Sequence, residues 1–129
     1  MAKDMFSKKK KIDLHMHTTA SDGASTPAEL VDTCIDLGLE IIAVTDHDNV
    51  TNVKKMQQLG NEKGLKVISG IEISTYRGEA EYHILGYFVD PENDALLIAV
   101  GCGQKVWLYQ KNNNSLHHQE QQLDVWQRR

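Results

Sequence analysis

Cysteine is nearly absent: Cys34 and Cys102 are the two thiols in 129 residues. They are too far apart for a close-spaced zinc pattern, and Cys34 falls in an apolar helical stripe that marks it as a core residue. Prolines number two and aromatics make up 6% of an otherwise ordinary soluble-globule composition, with 40% hydrophobic and 25% charged residues. There is no surplus of positive charge. A net charge of −4 provides no general attraction to nucleic acid, although an active site whose own cations reverse the local field can still hold a polyanion. No apolar run approaches transmembrane length, and the Lys8–Lys11 run leads into a short strand rather than a secretory apolar segment. A cytoplasmic protein with no membrane partner is therefore expected. Neither glycine-rich segment has the spacing of a P-loop or a dinucleotide fingerprint, which argues against a nucleotide cofactor. The length allows one domain but falls short of a large α/β barrel, which needs roughly 200 residues or more.

What is present is concentrated in the first ninety or so residues. Ile12-Asp13-Leu14 starts a short strand that ends in His15-Met16-His17. Thr18 to Thr26 is a loop rich in Ser, Thr, Gly and Asp. Thr26-Pro27-Ala28-Glu29 is a helix start: Thr26 caps, Pro27 takes the first helical position, and Glu29 completes a capping box. Leu30, Val31, Cys34 and Ile35 follow on one face, and Gly38 fits the stop. Ile41 to Val44 has the character of a buried strand and runs into Thr45-Asp46-His47-Asp48. A second helix is expected from about Val50 to Asn61, presenting Val53, Met56 and Leu59 and breaking near Gly60 and Gly64. Leu65–Ile68 and Ile71–Ile73 bracket Gly70 as a third apolar segment. Tyr82 to Phe88 make a fourth, after a polar bend from Thr75 to Glu81. This alternation argues for an α/β fold with a mainly parallel sheet.

The chemistry-bearing residues gather at the ends of these strands. His15 and His17 are two apart, so an extended chain points both rings to one side, and such imidazole pairs suit divalent zinc, manganese or iron. Asp22-Gly23 follows in a loop able to fold back over the same strand end. Asp46, His47 and Asp48 end the second strand. Glu72 lies between Ile71 and Ile73, where an unpaired carboxylate is costly to bury, and His83 precedes Ile84 and Leu85. Each residue alone has a plainer explanation. A single histidine is more often a satisfied core or rim residue, Glu72 could pair with a lysine, Asp22 could serve an Asp-Gly turn, and Asp46 and Asp48 could cap the next helix. Ser21 and Ser25 are ambiguous, since a serine nucleophile needs a positioned base and usually an oxyanion site and a water-activating metal cluster makes one unnecessary. The lysine run is more readily a solvated end than a phosphate contact. Jointly, four histidines and several carboxylates at strand ends argue for a metal site. Nitrogen and oxygen donors without thiolate suit hydrolytic metals.

Asp13-Leu14-His15-Met16-His17-Thr18, Ser21-Asp22-Gly23, Thr45-Asp46-His47-Asp48, Gly70-Ile71-Glu72-Ile73-Ser74 and His83-Ile84-Leu85-Gly86-Tyr87 together resemble the opening motifs of the PHP (polymerase and histidinol phosphatase) superfamily. The order and spacing are most similar to its stand-alone branch of metal-dependent phosphoesterases acting on nucleotides and short RNA ends. The resemblance covers about Ile12 to Leu97. It implies the N-terminal part of a distorted (βα)7 barrel holding up to three divalent ions (Mn2+, Zn2+ or Fe2+). By matching motif, His15 and His17 would bind a first metal with Glu72. Glu72 would bridge to a second that also takes His83, Asp22 and His47 would belong to a third, and Asp46 would orient the cluster. The implied reaction is phosphoric ester hydrolysis, with metal-activated water attacking phosphorus.

The resemblance also sets expectations about what is missing. The family's later histidine and closing Asp-x-His pair should lie beyond Leu97, yet no Asp-x-His occurs there, and His117-His118, followed by Gln119-Glu120, fits neither motif. Three parts are expected: an extension over 1–11, a partial PHP domain over 12–97, and a weakly structured or out-of-frame-like tail over 98–129. In that tail Gly101-Cys102-Gly103 would break a helix begun at Asp94, and Val125-Trp126 could belong to a short terminal one. The expected product is a truncated chain of doubtful activity, with an open sheet edge that favours self-association. Two alternatives stand beside the enzyme: a non-catalytic metal-binding fragment, and a PHP module associated with a DNA polymerase. The compact loop between Glu72 and His83 and the lack of polymerase sequence favour the stand-alone branch.

Overall fold

A computed structural model of the chain describes residues 10–101 and a two-residue strand at 106–107. The elements run β1 (Ile12–Met16), α1 (Pro27–Asp36), β2 (Ile41–Val44), α2 (Val53–Lys63), β3 (Lys66–Arg77), β4 (Ala80–Tyr87), α3 (Asp94–Gly101) and β5 (Val106–Trp107). Most of the expected 1–11 extension lies outside the described residues, as do His117, His118 and the residues of the short helix expected at Val125-Trp126.

The α/β fold follows from two helical crossovers. β1, β2 and β3 are parallel neighbours, joined through α1 and α2. β4 departs from the expected parallel order and runs antiparallel to β3, pairing Gly70 with Tyr87 through to Arg77 with Ala80. The reason is local: the connection is only Gly78-Glu79, which allows a hairpin but no crossover. Gly78 takes φ 62°, a left-handed conformation that favours glycine at such a turn. The bend expected from Thr75 to Glu81 is thus much narrower, and both strands extend well past Glu72 and His83.

β3 is a single twelve-residue strand with successive partners along one edge. Lys66 to Ser69 pair with β2, Glu72 bridges to His47, and Thr75 and Tyr76 pair with β5. Gly70 marks where β2 ends. A Cβ there would come within 2.7 Å of the Val44 carbonyl oxygen and 2.8 Å of the Thr45 methyl. The sheet curls on itself, and the Tyr87 hydroxyl on β4 donates to the Leu14 carbonyl on β1 at 2.8 Å. The result is a curled partial barrel with its concave face between β1 and β4.

The helices are specified as their sequences suggest, with one correction. Thr26 caps α1 through the Glu29 amide, and the Glu29 carboxylate bonds back to the Thr26 amide at 2.8 Å. Those bonds from Thr26 hold the Glu29 carboxyl below its ordinary value. Val31 and Cys34 face the core, while Ile35 is left exposed. In α2, Gly60 does not break the helix. It is buried inside it, where a Cβ would lie 2.5 Å from Val67 Cγ2 and 2.7 Å from the Leu65 carbonyl oxygen. The stop is Gly64, in the left-handed region at φ 76°. The core joins both helices to the sheet through Val31, Cys34, Ile42, Val44, Val50, Val53, Met56, Leu65 and Ile71. Transfer of side chains of this size stabilises by about 1.5–3 kcal/mol each before entropy is counted. This slab is the platform from which the strand ends project.

Candidate metal centre

Alternation along the strands sorts the polar residues. On β1, Asp13 and His15 lie on the side opposite Leu14 and Met16, and His17 follows directly after the strand. Met16 packs towards the core, its sulfur 3.9 Å from Cys34 Sγ. On β3 the same rule puts Ile71, Ile73 and Thr75 on one face and Glu72 and Ser74 on the other. His83 is the register partner of Ser74 and so stands on the Glu72 face. His47 reaches this face because the β2 strand end is tied to β3: the Asp48 amide donates to the Glu72 carbonyl at 2.9 Å, and the Glu72 amide to the Asp46 carbonyl at 3.1 Å.

Glu72 is the hub. It is only 6% exposed, yet its partners are imidazoles, and no lysine or arginine pairs with it among the described residues. Oε2 lies 2.9 Å from His15 Nε2, 3.1 Å from His17 Nε2 and 3.7 Å from His47 Nδ1. Oε1 is turned to His83 Nδ1 at 3.4 Å. Burial alone would raise this carboxyl, but the His15 hydrogen bond and the charges of His15, His47 and His17 outweigh it and hold the group below the usual glutamate range.

Asp22 makes the second node. Its carboxylate spans two rings, with Oδ1 3.5 Å from His17 Nδ1 and Oδ2 3.3 Å from His47 Nε2. His17 and His47 stack with centroids 4.6 Å apart and planes 17° from parallel, and His83 meets His47 edge-on at 4.9 Å. Asp22 is therefore more than a turn residue. Its loop is closed by bonds from the Ser21 and Gly23 amides to the Thr18 carbonyl. Gly23 is required by contact: a Cβ there would sit 2.5 Å from the His17 carbonyl carbon and 2.8 Å from the Thr18 nitrogen.

Asp46 is set apart from the cluster. It is 2% exposed and accepts from the Thr18 amide, the Thr18 hydroxyl and the Ser21 hydroxyl, each at 2.7 Å. Asp46 therefore anchors the loop that carries Asp22. Neither it nor Asp48 caps α2, whose cap position is Asn52. Asp48 holds a left-handed φ of 46° and accepts from the Ser74 amide at 2.9 Å, clamping the His47 turn against β3.

Three overlapping donor groups result: His15, His17 and Glu72; His17, Asp22 and His47; and His47, Glu72 and His83, with donor atoms in each within 4.8 Å of one another. These nitrogen and oxygen donors fit divalent transition metals. The structure thus brings together six of the seven residues singled out in the sequence, with Asp46 behind them. Sequence reasoning missed Thr18, Asn52 and Glu81. Thr18 is fully buried and accepts from the Asn52 amide at 2.8 Å, and Glu81 Oε1 is 3.1 Å from His83 Nε2. The Glu81 bond is the main reason the His83 imidazole is raised above its ordinary value. Burial opposes the shift, and the charges of Glu72, Glu81 and Asp48 add to it. Glu81 could have been found by strand alternation, since it lies two residues before His83.

A family model described as PHP domain matches residues 13–122. A 5'-3' exoribonuclease from Haemophilus influenzae is 40% identical over 91 residues, covering 68% of this chain and 33% of that protein. A phosphoribosyl 1,2-cyclic phosphate 1,2-diphosphodiesterase from Eggerthella lenta is 37% identical over 106 residues, covering 81% of this chain and 39% of that protein. Among solved structures, an amidohydrolase from Chromobacterium violaceum with bound sulfate and no metal superposes with a TM-score of 0.69 at 33% identity, over 71% of this chain and 32% of that one. The chain thus spans about a third of the length of the relatives it matches.

Proposed function

The chain belongs to the PHP-domain family, and from that premise we propose that it serves hydrolysis of a phosphoric ester, with a nucleotide or short RNA as substrate and divalent ions as cofactors. The observation that carries this is the division of Glu72: one oxygen faces His15 and His17, the other His83. A buried carboxylate turned to two separate imidazole sets is suited to bridging two cations. His15, His17 and Glu72 would hold one ion, Glu72 and His83 a second with His47 nearby, and Asp22 and His47 a third. Manganese, zinc or iron suits this donor set.

Bound divalent ions would supply Lewis acidity, placing positive charge at the phosphoryl oxygens and acidifying water for in-line attack. The chain's own residues do the positioning. Asp46 fixes the Thr18–Ser21 segment, and Asp48 fixes the His47 turn. The exposed side of the cluster, where Asp22, His15 and His83 meet solvent, is where a substrate phosphate would enter. The names of the exoribonuclease and the cyclic-phosphate diphosphodiesterase support a phosphate-ester substrate. We take residues 12–97 as the PHP part, with 1–11 and 98–129 flanking it, and a cytoplasmic location. Self-association would run along β4, whose Tyr82 and Ile84 are exposed beside a Phe88 that is 78% exposed. No described helix is long and apolar enough to cross a membrane.

The test is metal content by plasma mass spectrometry together with hydrolysis of nucleotide phosphate esters in Mn2+, for the wild-type chain, Glu72→Gln and the His15→Ala/His17→Ala double variant. Two or three ions per chain, fewer in both variants, with turnover lost alongside, is the expected result. Ions held without turnover would identify a non-catalytic metal-binding module. Metal content unchanged by either variant would refute the site.

A further inference from the structure

His17, His47 and His83 each lie between two carboxylates, but only His83 has one, Glu81, that belongs to none of the three donor groups. His83 stands on β4, which pairs with β3 on one side, and its side chain is 42% exposed. Apart from the edge-on His47 ring, what brackets it is a pair of carboxylates: Glu72 Oε1 lies 3.4 Å from Nδ1, and Glu81 Oε1 lies 3.1 Å from Nε2. Glu81 precedes His83 by two residues, so strand alternation puts both on the site face. Glu81 is itself fixed. Tyr76, its register partner on β3, donates its hydroxyl to the Glu81 carboxylate. A continuous line therefore runs from Tyr76 through Glu81 and His83 to Glu72.

We infer that Glu81 is a positioning residue, which keeps the proton of the His83 imidazole on Nε2 and so presents the Nδ1 lone pair to a divalent ion shared with Glu72. The inference rests on the metal-site reading above. Its physical basis is the complementarity of the two groups. An ionised carboxylate can only accept, and a neutral imidazole donates from one nitrogen and accepts at the other. A carboxylate at Nε2 therefore selects the tautomer in which Nδ1 is free to ligate, and it also fixes the ring plane and raises ligand basicity. His15 and His17 would ligate through the opposite atom, since their Nε2 atoms face Glu72, whereas His47, like His83, turns Nδ1 to it. The cluster thus needs a tautomer at His83 different from that at His15 and His17, and Glu81 supplies the means of selecting it. Removing such a partner costs roughly tenfold to hundredfold in metal affinity.

The experiment is Zn2+ titration of the full chain by calorimetry, with bound metal counted by plasma mass spectrometry. The His83 tautomer is read from two-bond proton–nitrogen correlations in the Zn2+-loaded protein. Wild type is compared with Glu81→Ala, Glu81→Gln and His83→Ala. The Glu81 side chain is 49% exposed, so its replacement leaves the core untouched, and glutamine keeps an acceptor for Nε2–H. The expected result has three parts. His83→Ala loses one equivalent of Zn2+. Glu81→Ala weakens that same equivalent roughly tenfold to hundredfold and mixes the tautomers. Glu81→Gln recovers most of the affinity and the Nε2–H form. If His83→Ala loses an equivalent while Glu81→Ala binds like wild type with an unchanged tautomer, the role of Glu81 is overturned and the metal site stands. If wild type takes up no Zn2+, or His83→Ala binds like wild type, the inference falls together with the placing of His83 in the metal site.

Discussion

Replacing Gly23 by alanine sets two effects against each other. Gly23 is not at positive φ, so its backbone conformation is open to alanine. On chain entropy alone the substitution would stabilise by about 0.4–1 kcal/mol. Contact reverses the sign. The added Cβ would sit 2.5 Å from the His17 carbonyl carbon, closer still to its oxygen, and 2.8 Å from the Thr18 nitrogen. Backbone cannot rotate away as a side-chain tip can, so the loop must shift by about 1 Å to restore ordinary contact. Both ends of that loop are fixed, by Asp46 on Thr18 and Ser21 and by the Gly23 amide on the Thr18 carbonyl. Overpacking of this kind costs about 1–3 kcal/mol, leaving a net loss of about 1–2 kcal/mol. The effect on the site is larger, because Asp22 is adjacent and a displacement of about 1 Å can cost on the order of a hundredfold where geometry is demanding. Urea unfolding of the metal-free protein reads the first quantity, and Zn2+ calorimetry reads the second. An alanine variant as stable as wild type, with unchanged stoichiometry and affinity, would refute the claim that this loop is held by contact.

Three further outcomes follow from elements away from the cluster. Gly60→Ala in α2 should destabilise by about 1–2 kcal/mol in urea unfolding, because the clash with Val67 and the Leu65 carbonyl exceeds the gain of about 1 kcal/mol in helix propensity; stabilisation would show that the helix–strand contact yields freely. Burial and the charge of Asp13 push the Cys34 thiol above 9.0, so in a Cys102→Ser background alkylation at pH 8 should proceed only as fast as the chain opens. Matching rates in native buffer and in denaturant would contradict this. The Glu29 carboxyl is depressed in the folded state, so its contribution is present above its unfolded pKa of about 4.5 and is lost as pH falls through the lower folded value. The stability gap between wild type and Thr26→Ala should therefore be constant near neutrality and narrow in acid, and a gap that widens below pH 4.5 would reverse the assignment.

Much of this architecture was legible because local signals agreed. The capping box at Thr26 and Glu29 and the Ile41–Val44 strand follow from patterns a few residues long and are found where expected, and of the apolar stripe of α1 Val31 and Cys34 are buried while Ile35 is exposed. His15, His17, Asp22 and His47 gather at or just past the ends of β1 and β2, whereas Glu72 and His83 join them from within β3 and β4, which extend past both residues. The failures concern contacts between segments distant in sequence. Gly60 reads as a helix breaker because glycine has low propensity, but its place is decided by Val67 and Leu65 on the next strand. The third apolar segment reads as ending near Ile73, yet β3 runs on to Arg77 because different partners take up its successive parts. The orientation of β4 was hidden because a polar run from Thr75 to Glu81 does not disclose that only Gly78 and Glu79 form the turn.

The same distinction explains why the cluster residues were visible and their supports were not. The cluster residues are histidines and carboxylates, so their identity survives in the sequence as uncommon residues within or just past short apolar strands. A supporting residue need only supply one hydrogen bond, which serine, threonine, asparagine or glutamate can do anywhere on a loop. Thr18 illustrates this. Its amide and hydroxyl both donate to Asp46, and its hydroxyl oxygen also receives the Asn52 amide, so one buried threonine links the β1 end, the β2 end and the start of α2. The Asp13–Thr18 motif includes Thr18 and not Thr19, yet the motif by itself assigns Thr18 no role. The buried Glu72 requires such support: four imidazoles compensate its charge only while β1, the His47 turn and β4 hold their places. The arrangement of the cluster therefore depends on the loop network as much as on its own histidines and carboxylates, and that network is assembled by tertiary structure.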